Sequence, residues 1–164
     1  MAQARVLILM GSKSDLEVME ESRKALTELG IESRMQIASA HRTPDKAAEL
    51  AKKARQDGFR VVIAGAGFAA HLAGAIAANT TLPVIGVPLD SSSLKGLDAL
   101  LATVQMPAGI PVATVAVGKA GARNAGILAA QMLAISDEGL AKRLEEQRKK
   151  MAEKVEAANK EIQR

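Results

Sequence analysis

Short apolar runs alternate along the chain with longer segments of mixed polarity. Val6-Leu7-Ile8-Leu9-Met10 reads as a buried strand, because no polar residue interrupts it. A helix follows from Asp15 to Leu29, closed by Gly30. Residues 33–38 hold a second strand, whose apolar part is Met35 to Ala38. Thr43 and Pro44 form an N-cap and first-turn pair that opens a helix through Gln56, before Gly58. Val61 to Ala64 is a third strand, and Ala69 to Ala78 a small-residue helix. Pro83 to Val87 is a fourth strand, with a helix from Leu94 to Val104. Val112 to Val117 is a fifth, followed by a helix from about Asn124 to Leu133.

This rhythm predicts an α/β fold: a three-layer αβα sandwich around a parallel sheet, flavodoxin- or Rossmann-like. Right-handed crossovers place the C-terminal ends of all strands on one edge, where such sheets bind ligands. The turns at Gly11–Asp15, Ser39–Thr43, Gly65–His71 and Pro88–Ser93 all follow strands, so they are expected to converge. The last segment, 138–162, reads as a long helix. Leu140, Leu144, Met151, Val155 and Ile162 give it an apolar stripe, to be covered by its own domain or by a neighbouring subunit. No repeat and no linker divides the chain, so residues 1–164 are read as one domain.

Composition narrows the function. With no Trp, no Tyr and two Phe, the core is built from small aliphatic residues, and little aromatic surface remains for stacking nucleic-acid bases. The net charge of +4 is modest, and the charges of 137–164 mix both signs, so no nucleic-acid tail is present. Without cysteine there is no disulfide or thiol chemistry. No apolar run reaches membrane-spanning length and the first residues carry no signal pattern, so a cytoplasmic setting without membrane partners is expected.

The candidate chemistry lies in the turns. Gly11-Ser12-Lys13-Ser14-Asp15 joins a strand to a helix. Its hydroxyls and free N–H groups suit a phosphate, with Asp15 better matched to a ribose hydroxyl; the competing reading is a simple helix cap. Ser39-Ala40-His41-Arg42 places an imidazole beside a guanidinium. Either His41 moves a proton while Arg42 clamps an anion, or both merely serve the turn. Gly65-Ala66-Gly67 precedes His71 and Leu72. The glycines suit either close approach to a ligand or tight packing, and His71 either an acid–base role or a buried hydrogen bond. Two histidines without cysteine, and without a H-E-x-x-H pattern, make a poor metal site, so no metal and no cofactor are expected.

At these residues the chain resembles the PurE family, and within it the class I enzymes, the N5-carboxyaminoimidazole ribonucleotide mutases. The matching segments are Met10-Gly-Ser-Lys-Ser-Asp15, Ser39-Ala-His-Arg-Thr-Pro-Asp45, Ile63-Ala-Gly-Ala-Gly67 with Ala69-Ala-His-Leu72, Leu82 to Pro88, Val104-Gln-Met-Pro107 and Pro111 to Val115. The resemblance implies a step of purine biosynthesis that moves a carbamate carboxylate to C4 of the imidazole, without metal, biotin or ATP. It implies that His41 is the proton shuttle and that Ser12, Asp15 and Arg42 bind the nucleotide, with Ser14 and Ser39 nearby. It also places Gly65, Ala66, Gly67, His71 and Leu72 at the substrate. A homo-octamer is implied, with Val104 to Pro107 of one subunit completing a neighbour's site.

The chain departs from the family's usual GAGGAAHLPG at Phe68 and Ala73, and from usual serines at Ala99 and Ala102. The family's second class carboxylates the aminoimidazole ribonucleotide with free CO2 and lacks the GAG…AAHL pattern, which favours the mutase. A rival of another kind is a nucleotide-binding module that turns nothing over.

Overall fold

The computed structural model describes residues 5–163. Five parallel strands form one sheet in the order β2-β1-β3-β4-β5: β1 (Val6–Met10), β2 (Ser33–Ile37), β3 (Val61–Ala66), β4 (Val84–Pro88) and β5 (Ala113–Thr114). The chain steps from β1 to β2 on one side, then crosses to β3 on the other, so the strand order reverses at β1. This is the flavodoxin-like winding, whose switch point opens a crevice above the strand ends.

Both faces are covered because β1, β3 and β4 are apolar on both. Val6, Ile8, Met10, Val61, Ile63, Ile85 and Val87 pack under α1 (Leu16–Glu28), α5 (Gly118–Ala134) and the start of α6 (Glu138–Ile162). Leu7, Leu9, Val62, Ala64 and Val84 pack under α2 (Pro44–Lys53) and α3 (Leu72–Ala77). On that second face α4 (Leu97–Val104) approaches Gly86 through Thr103. The alternation follows from the two-residue period of a strand.

The small-residue composition lets α1 and α5 meet almost backbone to backbone. Ser22 Oγ donates to Ala122 O at 2.6 Å, and a Cβ on Gly126 would lie 2.6 Å from Ser22 O.

Several expected boundaries shift, each for a local reason. Helix α5 starts at Gly118 rather than near Asn124. The glycines there resemble loop residues, yet Gly121 is required inside the helix, since a Cβ on it would collide with Ala116 O. Strand β5 shrinks to two residues at the sheet edge, because the chain turns away to begin α5. Helix α4 starts at Leu97, not Leu94, because Lys95 and Gly96 take left-handed backbone. Helix α3 starts at Leu72, not Ala69, because Phe68 takes φ +54° and forms a turn with Ala70 N–H.

Helix α6 is the long C-terminal helix expected over 138–162. Asp137 caps it by accepting from Leu140 N–H at 3.0 Å, Arg5 bonds the other Asp137 oxygen at 3.0 Å, and Arg143 Nε donates to Leu29 O at 2.9 Å. Leu140 is fully buried, but Met151, Val155 and Ile162 remain exposed. The stripe is therefore covered by its own domain only over the first two turns.

Candidate functional site

The turns after β1, β2 and β3 converge, as the strand order requires, around a cavity of about 340 Å³. Ser12, Ser14, Asp15, Ser39, His41, Arg42, Ala66, Gly67, His71 and Leu72 line it together. Of the sequence candidates only Gly65 stays behind the wall. Its reason is packing, since a Cβ there would lie 2.2 Å from Met19 Sδ of α1. Gly67 has a packing reason as well, because its Cβ would meet Ser91 Oγ at 2.8 Å. Gly11, Ala40, Phe68, Ala69, Ala70 and Ser91 complete the lining; of these, Ser91 was marked in the sequence only by its place after a strand.

The β1 turn is organised from within. A short 3₁₀ turn, Lys13–Asp15, precedes α1. Asp15 is buried, and its Oδ2 accepts from Ser12 N–H at 2.9 Å and from Ser12 Oγ at 3.4 Å. Ser14 Oγ donates to Asp15 Oδ1 at 3.4 Å and lies 2.5 Å from Ser12 Oγ. The carboxylate thus fixes the two hydroxyls side by side at a helix start, where a phosphate oxygen finds donors.

The β2 turn is locked to it. Thr43 Oγ1 accepts from Ser39 N–H at 2.9 Å and donates to Ser39 O at 3.2 Å. Thr43 thus braces the turn, while Pro44 opens α2. Arg42 N–H donates to Ser39 Oγ at 3.2 Å, Nε to the same oxygen at 3.4 Å, and Nη2 to Gly11 O at 3.0 Å. These side-chain contacts use two of the guanidinium's five donors and aim the fork across the β1 and β2 turns.

The β3 turn supplies the second imidazole. His41 Nε2 and His71 Nδ1 are 2.6 Å apart, with the rings edge to face at 83° and centroids 4.8 Å apart. Such a contact needs one donor and one acceptor, so one ring presents an N–H where the other presents a lone pair. Both are exposed to the cavity side of the surface. The arrangement brings the hydroxyls of Ser12 and Ser14 and the Arg42 guanidinium, groups suited to an anion, into one cavity with two imidazoles, groups suited to proton transfer.

Fold and cavity together define a class: a flavodoxin-like α/β protein with a hydroxyl- and guanidinium-lined cavity and a histidine pair at its switch point. A family model described as AIR carboxylase matches residues 5–154, and the chain belongs to that family. Among its relatives, the N5-carboxyaminoimidazole ribonucleotide mutase of Brucella melitensis is 57% identical over 150 residues, 92% of this chain and 93% of that one. The mutase of Bacillus subtilis is 54% identical over 93% of this chain and 94% of its own, and that of Escherichia coli K12 51% over 93% and 90%. The crystal structure of Treponema denticola PurE superposes with a TM-score of 0.88 at 29% identity, covering 98% of this chain and 99% of that one. Among the described residues no helix is long and apolar enough to cross a membrane.

Proposed function

We propose that this chain is an N5-carboxyaminoimidazole ribonucleotide mutase, an isomerase of purine biosynthesis. The observation that carries the reading is His41, hydrogen-bonded to His71 beside the Ser12–Arg42 cradle, in a chain half or more identical to mutases over nearly all its length.

In this reading the phosphate sits on Ser12 and Ser14 with Arg42, and the ribose faces Asp15 and Ser39. The carbamate N–C bond of the substrate breaks and releases CO2 inside the cavity, and His41 protonates the nitrogen left behind. C4 of the imidazole then attacks the CO2, a C–C bond forms, and the C4 proton returns to His41. One proton is given and one recovered, so the imidazole ends as it began and no external acid, base or cofactor is consumed. His71, as hydrogen-bond partner, holds the His41 ring and its tautomer. The test offers purified protein the carbamate substrate, and separately the unmodified aminoimidazole ribonucleotide with bicarbonate. Formation of 4-carboxy-5-aminoimidazole ribonucleotide from the first alone supports the mutase. Turnover only of the second makes the protein a direct carboxylase, and turnover of neither makes it a binding module.

The functional unit in this proposal is a homo-oligomer, an octamer by resemblance, in a cytoplasmic setting. Two uncovered apolar surfaces support assembly: Leu97, Leu101 and Val104 on α4, and Met151 and Val155 on α6. Val104 leads into Gln105-Met106-Pro107, the segment assigned to a neighbour's site. Sedimentation should show an assembly well above a dimer. The double variant Met151→Lys, Val155→Glu should lower assembly and turnover together; a fully active monomer contradicts the shared site.

A further inference from the structure

Phe68 is at odds with its surroundings in three ways. Of the two phenylalanines, Phe59 is 2% exposed, with the Arg34 guanidinium 5.1 Å from its ring centre, whereas Phe68 is 61% exposed. Its backbone has φ +54°, a left-handed conformation in which a bulky side chain is an outlier. It also lines the cavity that holds His41, His71 and Arg42. Strained residues of this kind concentrate at ligand sites, where surrounding structure holds them. Here the hold is visible. Ala70 N–H closes the turn onto Phe68 O at 2.9 Å, and Ala70 and Leu72 just beyond are buried. The ring is therefore carried at the cavity mouth by an anchored turn, and the core takes up none of it.

The rest of the lining consists of serines, glycines, alanines, a carboxylate, the guanidinium and the two imidazoles, apart from buried Leu72. The cradle recognises an anion and the imidazoles engage each other. None of these offers a broad apolar plane to a flat ring, and the chain has no Trp or Tyr to supply one.

We infer that Phe68 is a specificity-determining residue, its ring lying against the heterocycle of the bound ribonucleotide and closing that side of the cavity from water. Aromatic faces are favoured partners for planar heterocycles, and burial of this exposed ring on binding adds apolar contact where the cradle adds none. The inference rests on the ribonucleotide reading of the cavity.

The test uses Phe68→Asn, which removes the ring but accepts left-handed backbone, and Phe68→Trp, which restores an aromatic plane. Both are titrated with the carboxylated product nucleotide and with ribose 5-phosphate, which lacks the ring. F68N should bind the nucleotide roughly tenfold or more weakly, the size of an aromatic–base stack, and ribose 5-phosphate as the wild type does. Its melting temperature should be no lower than that of the wild type. F68W should keep nucleotide affinity, and its tryptophan, the sole one in the chain, should change emission with the nucleotide and not with ribose 5-phosphate. Equal affinity of wild type and F68N for the nucleotide, or equal losses for both ligands, overturns the inference. Failure of the wild type itself to bind the nucleotide overturns the underlying reading instead.

Discussion

Two concavities lie at opposite ends of the sheet, and the smaller one gathers the imidazoles, the hydroxyls and Arg42. The larger, about 950 Å³, lies where the strands begin. It is walled by Leu82, Pro83 and Val84 ahead of and at the start of β4, by Pro111 and Ala113, and by the residues that follow α2 and α3. Arg55 and Lys52 face it, but Arg55 donates to Thr81 Oγ1 at 3.2 Å and no imidazole is near. The smaller cavity, about 340 Å³, lies where the strands end. There each turn starts from a fixed strand and leads toward a helix N-terminus, so donors and imidazoles are aimed at a common point. At the opposite end helices finish and strands begin, and nothing converges. Volume points to one end, and the direction of the strands to the other, where the imidazoles and hydroxyls gather.

The comparison breaks most sharply at His41. His41→Asn should bind the product nucleotide nearly as the wild type does, yet lose about 10²–10⁴-fold in turnover, measured by initial rates. Near-wild-type turnover would remove the proton-shuttle role and, with it, the chemical distinction between the two ends.

Next in size is a pair of arginines, one at each end. Arg42→Ala should weaken nucleotide binding by about 1.5–3 kcal/mol, and Ser12→Ala by less, with little change for the dephosphorylated ribonucleoside. Arg55→Ala, at the larger concavity, should leave the nucleotide Kd within about twofold, because the proposed cradle lies at the other end of the sheet. Calorimetric titration of the three variants decides it. Equal losses from Arg42 and Arg55 would mean that general positive charge, not the cradle, attracts the ligand.

A smaller effect is expected at the base of the sheet, where Asp137 joins Arg5 to the start of α6. The Leu140 N–H, and then the Arg5 guanidinium, hold the Asp137 carboxyl below its ordinary value of 3.8. A carboxyl depressed in the folded state adds stability in full above its unfolded value, and that contribution is lost as pH falls through the folded value. Asp137→Asn should therefore be less stable than wild type near neutrality, with the gap closing below about pH 4 in denaturant titrations. Activity per folded molecule should not change, since the proposed site lies at the other end of the sheet. The smallest effect, none at all, is expected from dialysis against a strong chelator. A rate that falls and is restored by zinc or magnesium would contradict the proton-transfer account.

Much of the molecule was legible in the chain itself. Apolar runs at Val6–Met10, Val61–Ala64 and Pro83–Val87 marked the central strands, because strands buried on both faces need no polar positions. The residues that line the cavity were found from their place after those strands, since a parallel sheet sends every such turn to one edge. Edge elements were less legible. Ser33 and Arg34 of β2 are polar because that strand is half exposed, and β5 is cut to two residues by the departure into α5. Gly118 and Gly121 read as loop, yet they belong to a helix whose backbone approach to Ala116 only the packed structure reveals.

The sequence by itself determined the alternation of strands and helices, the residues suited to proton and anion chemistry, and the edge on which they gather. All of these follow from local patterns of polarity and from the chirality of the crossovers. Only the tertiary structure decided that the strands order as β2-β1-β3-β4-β5, that His41 and His71 meet at 2.6 Å across 30 residues of chain, that Gly65 backs onto Met19, and that Phe68 stands exposed on the cavity lining. Each of these depends on which side chains arrive at one point from distant segments. Spacing along a chain carries no such information, because the sheet register and the helix crossings that set those distances form only when the layers pack together.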